Sequence, residues 1–324
     1  MFVLGCHRSG TSLLARVLSD VLPLLGGSDV LTCRPDDPSA GSEWLPAQID
    51  NPGGFQESQR LVAFNEALLA SIGCAWHRPP LHPIPWHDAD LFPLLFAARQ
   101  PFATQALARV WVDKDPRLCI TYPAFRHIFL RRIPIVAIIR HPYAVAASLQ
   151  ARDGFCVSHA LMIWFLYNQH MVRSLQDSAD LCVDYTTLLD QQGSASDALI
   201  SFLRTFADVE LGLGSDATVP LVQQLQAAVR PDWRRNADVL PMALVPQLDA
   251  QQLADLCLDL YGDIVRSGCE IATLRRLFAS TPECVLSAYA VHGWQPVQPV
   301  AEPQASGRPS SRLKRAWQRL TVRP

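Results

Sequence analysis

Residues 1–14 have the sequence MFVLGCHRSGTSLL. The first four residues are apolar, as in a buried strand, and Gly5 and Gly10 bound the short loop that follows. Apolar residues then recur at helical spacing, at Leu13, Leu14, Val17, Leu18, Val21 and Leu22. The stretch predicts a strand, a glycine-bounded loop and a helix. A helix start presents unpaired N–H groups and a positive dipole end, which favours a phosphate or sulfate. An ordinary turn of small residues is the alternative.

The glycine spacing of this loop is that of a phosphate-binding P-loop with one substitution. Nucleotide hydrolases place a lysine before the Ser or Thr that ends the loop, whereas this chain has Thr11 before Ser12 and carries its cation earlier, at Arg8. The missing lysine normally reaches the β- and γ-phosphates of a triphosphate bound with magnesium. The loop therefore disfavours a triphosphate as the ligand.

The sequence HRSGTS at residues 7–12 resembles the phosphosulfate-binding loop of the sulfotransferase family. The resemblance is to the bacterial sulfotransferase-like members of that family. It implies a co-substrate, 3′-phosphoadenosine 5′-phosphosulfate (PAPS), and no metal. The residues that it implies for binding the 5′ side of PAPS are Arg8, Ser9, Gly10, Thr11 and Ser12.

The whole chain suits one large globular domain. It has 324 residues, of which 49% are hydrophobic and 18% charged, and its formal net charge is −2. The charge balance does not indicate a nucleic-acid partner. Nine cysteines without a C-x-x-C spacing indicate reduced thiols in a cytoplasmic protein. We expect no signal peptide, because the predicted first strand starts at the first residue, and no transmembrane segment, because no apolar run reaches the roughly 18 residues of a membrane span.

A loop carboxylate is the candidate general base. Glu57 ends the segment NPGGFQE at residues 51–57, just before a helix predicted to start near Ser58, and bacterial sulfotransferase-like proteins have a similar segment. An acceptor hydroxyl must lose its proton as it attacks sulfur, and we expect Glu57 to take that proton. The alternative is that Glu57 only caps the helix. Glu43, beside Trp44 in the preceding loop, is the reserve candidate.

A second strand is predicted at residues 110–112, and it leads into the polar sequence DKDPR at 113–117. Open α/β sheets place their ligands at such strand ends. The Lys-Asp-Pro element resembles one in tyrosylprotein sulfotransferases, which implies that Lys114 stabilises charge on the transferred group. Arg8 is the second cation expected there, because fixed cations stabilise the loose transition state of such transfers. The alternative for Lys114 is a surface ion pair with a neighbouring aspartate.

The apolar run at residues 134–139 predicts a strand buried on both faces, and Arg140 follows it. P-loop enzymes that use magnesium commonly have an aspartate at this point, whereas an arginine attracts a second phosphate. The interval from Arg140 to Ser148 resembles the 3′-phosphate-binding segment of sulfotransferases. A later strand at 181–185 ends in Tyr185, which the resemblance places near the adenine; core packing is the alternative.

The remaining segments carry weaker signals. Residues 73–106 are rich in Pro, Trp and His and predict an irregular, acceptor-facing loop, whose Trp76 and Trp86 either stack on a sugar or phenol or pack inward. The three arginines at 230–236 do not form the family's nucleotide-closing motif, so the nucleotide lid stays unassigned. Residues 296–324 predict a disordered basic tail, which is either solvated or in contact with an anionic membrane surface or a partner.

Together these features predict an α/β fold of the P-loop NTPase-like type, with three layers, a mostly parallel central sheet and a helical C-terminal part. We expect the domain over residues 1–295, with the sheet and donor site in 1–190 and helices in 195–295. The predicted activity is sulfuryl transfer from PAPS to a hydroxyl or amine, with a small-molecule or saccharide acceptor such as a lipid-linked sugar. The alternatives are a P-loop small-molecule kinase and a non-catalytic nucleotide-binding module. The sequence leaves the oligomeric state open.

Overall fold

A parallel sheet of four strands lies at the centre of the protein. The computed structural model describes residues 1–23, 30–31, 56–87, 91–103, 107, 110–189, 194–212 and 248–293. The strands are β1 (Phe2–Leu4), β2 (Val30–Leu31), β3 (Val110–Trp111), β4 (Asp113–Lys114), β5 (Ile135–Ile139) and β6 (Leu181–Asp184). The central sheet has the order β4-β1-β5-β6, and β2 and β3 form a separate parallel pair. The first strand of the chain therefore lies inside the sheet, between β4 and β5.

Helices cover both faces of this sheet. They are α1 (Thr11–Val21), α2 (Gln59–Ser71), α3 (Phe92–Ala97), α4 (Leu118–Phe129), α5 (Pro142–Asp153), α6 (Val157–Ser174), α7 (Tyr185–Leu189), α8 (Ser194–Leu211), α9 (Leu248–Arg266), α10 (Ile271–Leu277) and α11 (Glu283–His292). Within the described residues, no helix is both long and apolar enough to cross a membrane.

Alternate residues of β5 face two different hydrophobic cores. Ile135, Ala137 and Ile139 pack in a cluster with residues of α2 to α6 and α9 to α11, while Val136 and Ile138 pack with residues of α1, α7 and α8. Side chains of a strand point alternately to its two faces, so a strand that is apolar throughout needs a helical layer on each side. The predicted three-layer α/β architecture with a parallel sheet is confirmed.

The strand predicted at residues 110–112 is present as β3, but the polar residues after it form a further short strand that was not predicted. β3 pairs with β2, and β4 pairs with β1, with Val3 opposite Lys114. A strand of two residues has no periodicity that a sequence pattern could reveal. As a result Lys114 belongs to the central sheet itself and not to a loop that follows it.

Three helices lie where none was predicted, and one of them, α7, begins at Tyr185, so the strand predicted at residues 181–185 ends at Asp184. α3 lies inside the segment 73–106 that was expected to be irregular, and α4 fills the interval after β4. The prolines spread over residues 79–101 favour an irregular structure in a sequence, although a proline in the first turn, as in α3, suits a helix start, whereas Pro123 lies inside α4, where proline is unfavourable. Of α4, nine residues are buried, so tertiary packing outweighs the local cost of Pro123.

Candidate active site

The candidate site lies at the carboxyl ends of β1, β4 and β5, the edge at which parallel sheets bind ligands. The loop from Gly5 to Gly10 follows β1 and enters α1. Lys114 ends β4, and Arg140 directly follows β5. Because β1 lies between these two strands, its loop has one cationic residue on each side.

The backbone of this loop is left-handed at two positions. Gly10 is the N-cap of α1 and has a φ of 90°, a conformation that favours glycine. A Cβ on Gly10 would lie 2.3 Å from Cδ2 of Tyr185, so the loop and that ring are in direct contact. Arg8 has a φ of 67°, which is uncommon for a residue with a Cβ. The loop is thus turned sharply just before the helix begins.

The start of α1 fits an oxygen-rich anion. Its N-cap makes no side-chain capping hydrogen bond. The Oγ of Ser9 is buried and has no hydrogen-bond partner among the described residues, while the N–H of Ser9 closes the turn onto the carbonyl of Cys6 at 3.1 Å. An anion held here would accept the Ser9 hydroxyl and the N–H groups of the first helical turn.

A buried ion pair joins the candidate base to the sheet. Nζ of Lys114 donates to Oε1 of Glu57 at 2.5 Å and to Oγ of Ser12 at 3.1 Å. The Lys114 side chain is 1% exposed and that of Glu57 is 9% exposed. Burial raises the pKa of the Glu57 carboxyl, and the positive charge of Lys114 opposes the rise. Lys114 therefore lies between the carboxylate of Glu57 and the hydroxyl of Ser12, which belongs to the first turn of α1.

The local structure around Glu57 explains its position. Ser58, rather than Glu57, caps α2: its Oγ accepts the N–H of Leu61 at 3.0 Å. Gln56, on the other side, has a left-handed φ of 53° and is buried. The chain thus turns at Gln56 and enters the helix after Ser58, so the carboxylate of Glu57 between them is directed to Lys114. Glu57 does not cap the helix, because Ser58 does.

A second polar network, which the sequence did not reveal, holds β4 against α2 and α4. Asp115 accepts hydrogen bonds from Nδ2 of Asn65 at 2.9 Å and from Nη1 of Arg117 at 2.9 Å. Thr121 donates to Oδ1 of Asn65 at 2.7 Å, and Arg117 also pairs with Glu66 at 2.8 Å. The aspartate after Lys114 is therefore paired with Arg117, and the ion pair of Lys114 is formed with Glu57 instead of a neighbouring aspartate.

The other side of the loop carries a second group of side chains that could bind an anion. Nε of Arg8 donates to Oγ of Ser148 at 2.7 Å, and Nη1 of Arg140 donates to the carbonyl of Arg8 at 3.0 Å. Nε1 of Trp164 in turn donates to the carbonyl of Arg140 at 2.9 Å. The structure thus brings together Arg8, Arg140 and Ser148, which lie far apart in the sequence.

Tyr185 lies between the loop and Arg140. The guanidinium carbon of Arg140 is 4.4 Å from the centre of its ring, within the range of a cation–π contact. The ring also touches Gly10, and Tyr185 is 8% exposed. Tyr185 thus lies next to Arg140, while its contact with an adenine stays a prediction.

A buried histidine of the loop also escaped the sequence reasoning. The ring of His7 lies 4.5 Å from that of Trp76 and 5.3 Å from that of Tyr167. Burial first, and then the positive charge of Arg117, hold the pKa of His7 well below its usual range, so the imidazole is neutral at pH 7. Trp76 is half-buried against the loop, whereas Trp86 is 3% exposed and packs inward.

Some expectations concern residues outside the described ranges. These are the reserve base Glu43, the arginines at 230–236 and the tail at 296–324. Among the residues that the structure does describe, no three His, Cys, Asp or Glu side chains are grouped in a way that suits a metal ion.

Comparisons with known proteins give two similar structures. No protein-family model matches the chain, and no curated protein sequence does. The sulfotransferase domain from the Synechococcus PCC 7002 olefin synthase is 21% identical, over 78% of this chain and 92% of that one, with a TM-score of 0.38. The sulfotransferase domain from the curacin biosynthetic pathway is 15% identical, over 99% of this chain and 97% of that one, with a TM-score of 0.35. Both are domains of the family that the sequence motifs resemble. Their TM-scores leave the function to be argued from the site.

Proposed function

We propose that this protein transfers a sulfuryl group from PAPS to a hydroxyl or amine of a small-molecule or saccharide acceptor. One observation carries the proposal: Lys114 bridges Glu57 and Ser12, and so joins a buried carboxylate to the anion-binding loop. Group transfer needs such an arrangement, in which a base and a fixed cation meet at the place where an anionic donor binds.

The two groups of anion-binding side chains suit a donor with two separate phosphates. We assign the 5′-phosphate to the loop amides with Ser9, Thr11 and Ser12, and the 3′-phosphate to Arg140 and Ser148. The buried Ser9 hydroxyl, which has no partner among the described residues, supports the first assignment. The convergence of Arg140 and Ser148 on Arg8 supports the second. PAPS would supply the sulfuryl group together with a phosphate that leaves.

The chemical step follows from the Glu57–Lys114 pair. The acceptor oxygen forms a bond to sulfur, the bond from sulfur to the bridging phosphate oxygen breaks, and the acceptor proton goes to the Glu57 carboxylate. Burial favours this role, because it raises the pKa of Glu57 and makes the carboxylate a stronger base. Lys114 stabilises the charge on the transferred group. The sequence-based expectation that Arg8 assists Lys114 there stays a prediction.

Binding experiments separate this proposal from a kinase. Calorimetric titration with adenosine 3′,5′-bisphosphate, the product of the donor, is compared with ATP and magnesium. We expect tight binding of the bisphosphate by wild type, and a loss of about 10- to 100-fold in Arg140→Ala, as for one lost charge-assisted contact. Arg204→Ala, on the exposed face of α8, is the matched control and binds normally. Tight binding of ATP alone would overturn the proposal.

Activity separates the proposal from a non-catalytic binding module. Release of the bisphosphate from PAPS is followed in the presence of a panel of hydroxyl and amine acceptors. Glu57→Gln and Lys114→Met are expected to abolish acceptor-dependent release and to leave nucleotide binding measurable. If both variants retain the full acceptor-dependent rate, the catalytic assignment is wrong.

A further inference from the structure

We infer that Arg8 contacts the 3′-phosphate of the donor and connects it to the loop that holds the 5′-phosphate. Arg8 thereby determines the selectivity for 3′-phosphorylated nucleotides. This inference rests on the proposed function. Arg8 then binds the 3′-phosphate together with Arg140 and Ser148, instead of contacting the transferred sulfuryl group, and it is a specificity-determining residue.

The direction of the Arg8 side chain is the first argument. In a P-loop the cation reaches forward along the phosphate chain, but the Nε of Arg8 donates at 2.7 Å to Ser148 in α5, the helix that follows β5. Lys114 occupies the opposite side, where it contacts Glu57 and Ser12. The two cations therefore diverge from the loop, and the contacts of Lys114 place it at the base.

The anchoring of the Arg8 backbone is the second argument. Its carbonyl accepts a hydrogen bond from Nη1 of Arg140 at 3.0 Å. Arg8 therefore contacts Arg140 through its backbone and Ser148 through its side chain. Arg8 makes both contacts from a left-handed backbone with a φ of 67°. A conformation of this kind is unfavourable for a residue with a Cβ, and it persists only where the surroundings hold it in place.

The hydrogen-bond chemistry of Ser148 is the third argument. Its hydroxyl oxygen accepts from Arg8, which leaves the hydroxyl proton to be donated to another oxygen. A phosphate oxygen placed there would accept the Ser148 hydroxyl beside the Arg8 guanidinium, and Arg140 is held close to the same residue through the Arg8 carbonyl. Arginine binds phosphate in a planar, charge-assisted manner, which suits this arrangement. The same contacts connect the 3′-phosphate to the loop backbone at Arg8, so binding at one group stabilises the other.

The test compares nucleotides that differ only in the 3′-phosphate. Calorimetry measures the affinities of adenosine 3′,5′-bisphosphate and adenosine 5′-monophosphate for wild type, Arg8→Asn, Ser148→Ala and the double variant. Asparagine is chosen because it tolerates the left-handed backbone, so the loop conformation is retained. Arg204→Ala again serves as the control. Thermal unfolding without nucleotide checks that each variant is folded.

We expect Arg8→Asn to weaken the bisphosphate about 10- to 100-fold and to change the affinity for the monophosphate less than about twofold. Ser148→Ala removes the other partner of the Arg8–Ser148 hydrogen bond and should lose the same selectivity. In the double variant the affinity for the bisphosphate should fall by less than the product of the two single losses. An equal loss for both nucleotides in Arg8→Asn would overturn the inference while wild type still binds the bisphosphate tightly. If wild type does not prefer the bisphosphate at all, the proposed function fails, and the inference fails with it.

Discussion

Replacement of Lys114 by methionine gives the sharpest prediction, because it leaves the Glu57 carboxylate buried without its cation. Breaking a buried ion pair by removing one partner costs about 3–5 kcal/mol of unfolding free energy. Lys114 lowers the pKa of Glu57 and burial raises it, so in Lys114→Met the pKa rises further. Methionine keeps much of the length of the lysine side chain, which limits the contribution of an empty cavity.

The loss of stability should depend on pH in a defined direction. A carboxyl whose pKa is raised by folding holds its proton more tightly in the folded state, so stability falls as the pH rises from the unfolded pKa through the folded pKa. The slope for one group is at most about 1.4 kcal/mol per pH unit. At acidic pH, where Glu57 is protonated, Lys114→Met should be close to wild type. The full cost should appear only above the folded pKa.

Urea denaturation at a series of pH values from 5 to 8 measures this difference. The control is the double variant Glu57→Gln/Lys114→Met, in which neither residue of the pair carries a charge and the added pH dependence should vanish. A penalty for Lys114→Met that is the same at every pH, or that the double variant shares, would refute the reasoning and attribute the loss to packing alone.

Three further predictions concern the groups that shape the site, each measured by urea denaturation. Gly10→Ala should lower the free energy of unfolding by about 2–4 kcal/mol, because the backbone is left-handed there and the added Cβ would overlap with Tyr185. In the double variant, Tyr185→Ala should relieve part of this loss. Strictly additive losses would contradict the overlap. Ser58→Ala should cost about 1 kcal/mol through loss of the α2 cap, and an unchanged midpoint would contradict that role. Tyr261→Phe removes a 2.6 Å hydrogen bond to Asp184 and should cost about 1–2 kcal/mol; no change would show that water replaces it.

The sequence predicts those parts of the fold whose signal is local. The strand, loop and helix of residues 1–22 have an apolar run, bounding glycines and a helical period, and β5 is one continuous apolar run. β4 has only two residues, Asp113 and Lys114, and both are polar. Its place in the sheet comes from pairing with β1, a long-range contact that no local pattern contains.

The candidate site shows the same division. Motif resemblance identified Glu57, Lys114, Arg140 and Ser148 as residues of interest, but their pairing depends on the order of strands in the sheet. Without that order, a surface ion pair for Lys114 could not be set aside. The direction of Arg8 toward Ser148 was equally hidden, since a sequence gives the type of a side chain and not the partner across the fold.

The inner position of β1 has a consequence for the way the protein is made. The ammonium of Met1 donates to the carbonyl of Trp111, 110 positions away, and β1 pairs with β4 and β5. At a synthesis rate of about 5–20 residues per second, β5 leaves the ribosome roughly 7–27 s after β1. Until β4 and β5 have both emerged the apolar strand lacks its full set of partners, and such delayed pairing slows folding and exposes the nascent chain to aggregation. The loop at the centre of the site is therefore made well before the strands and side chains that complete the site around it.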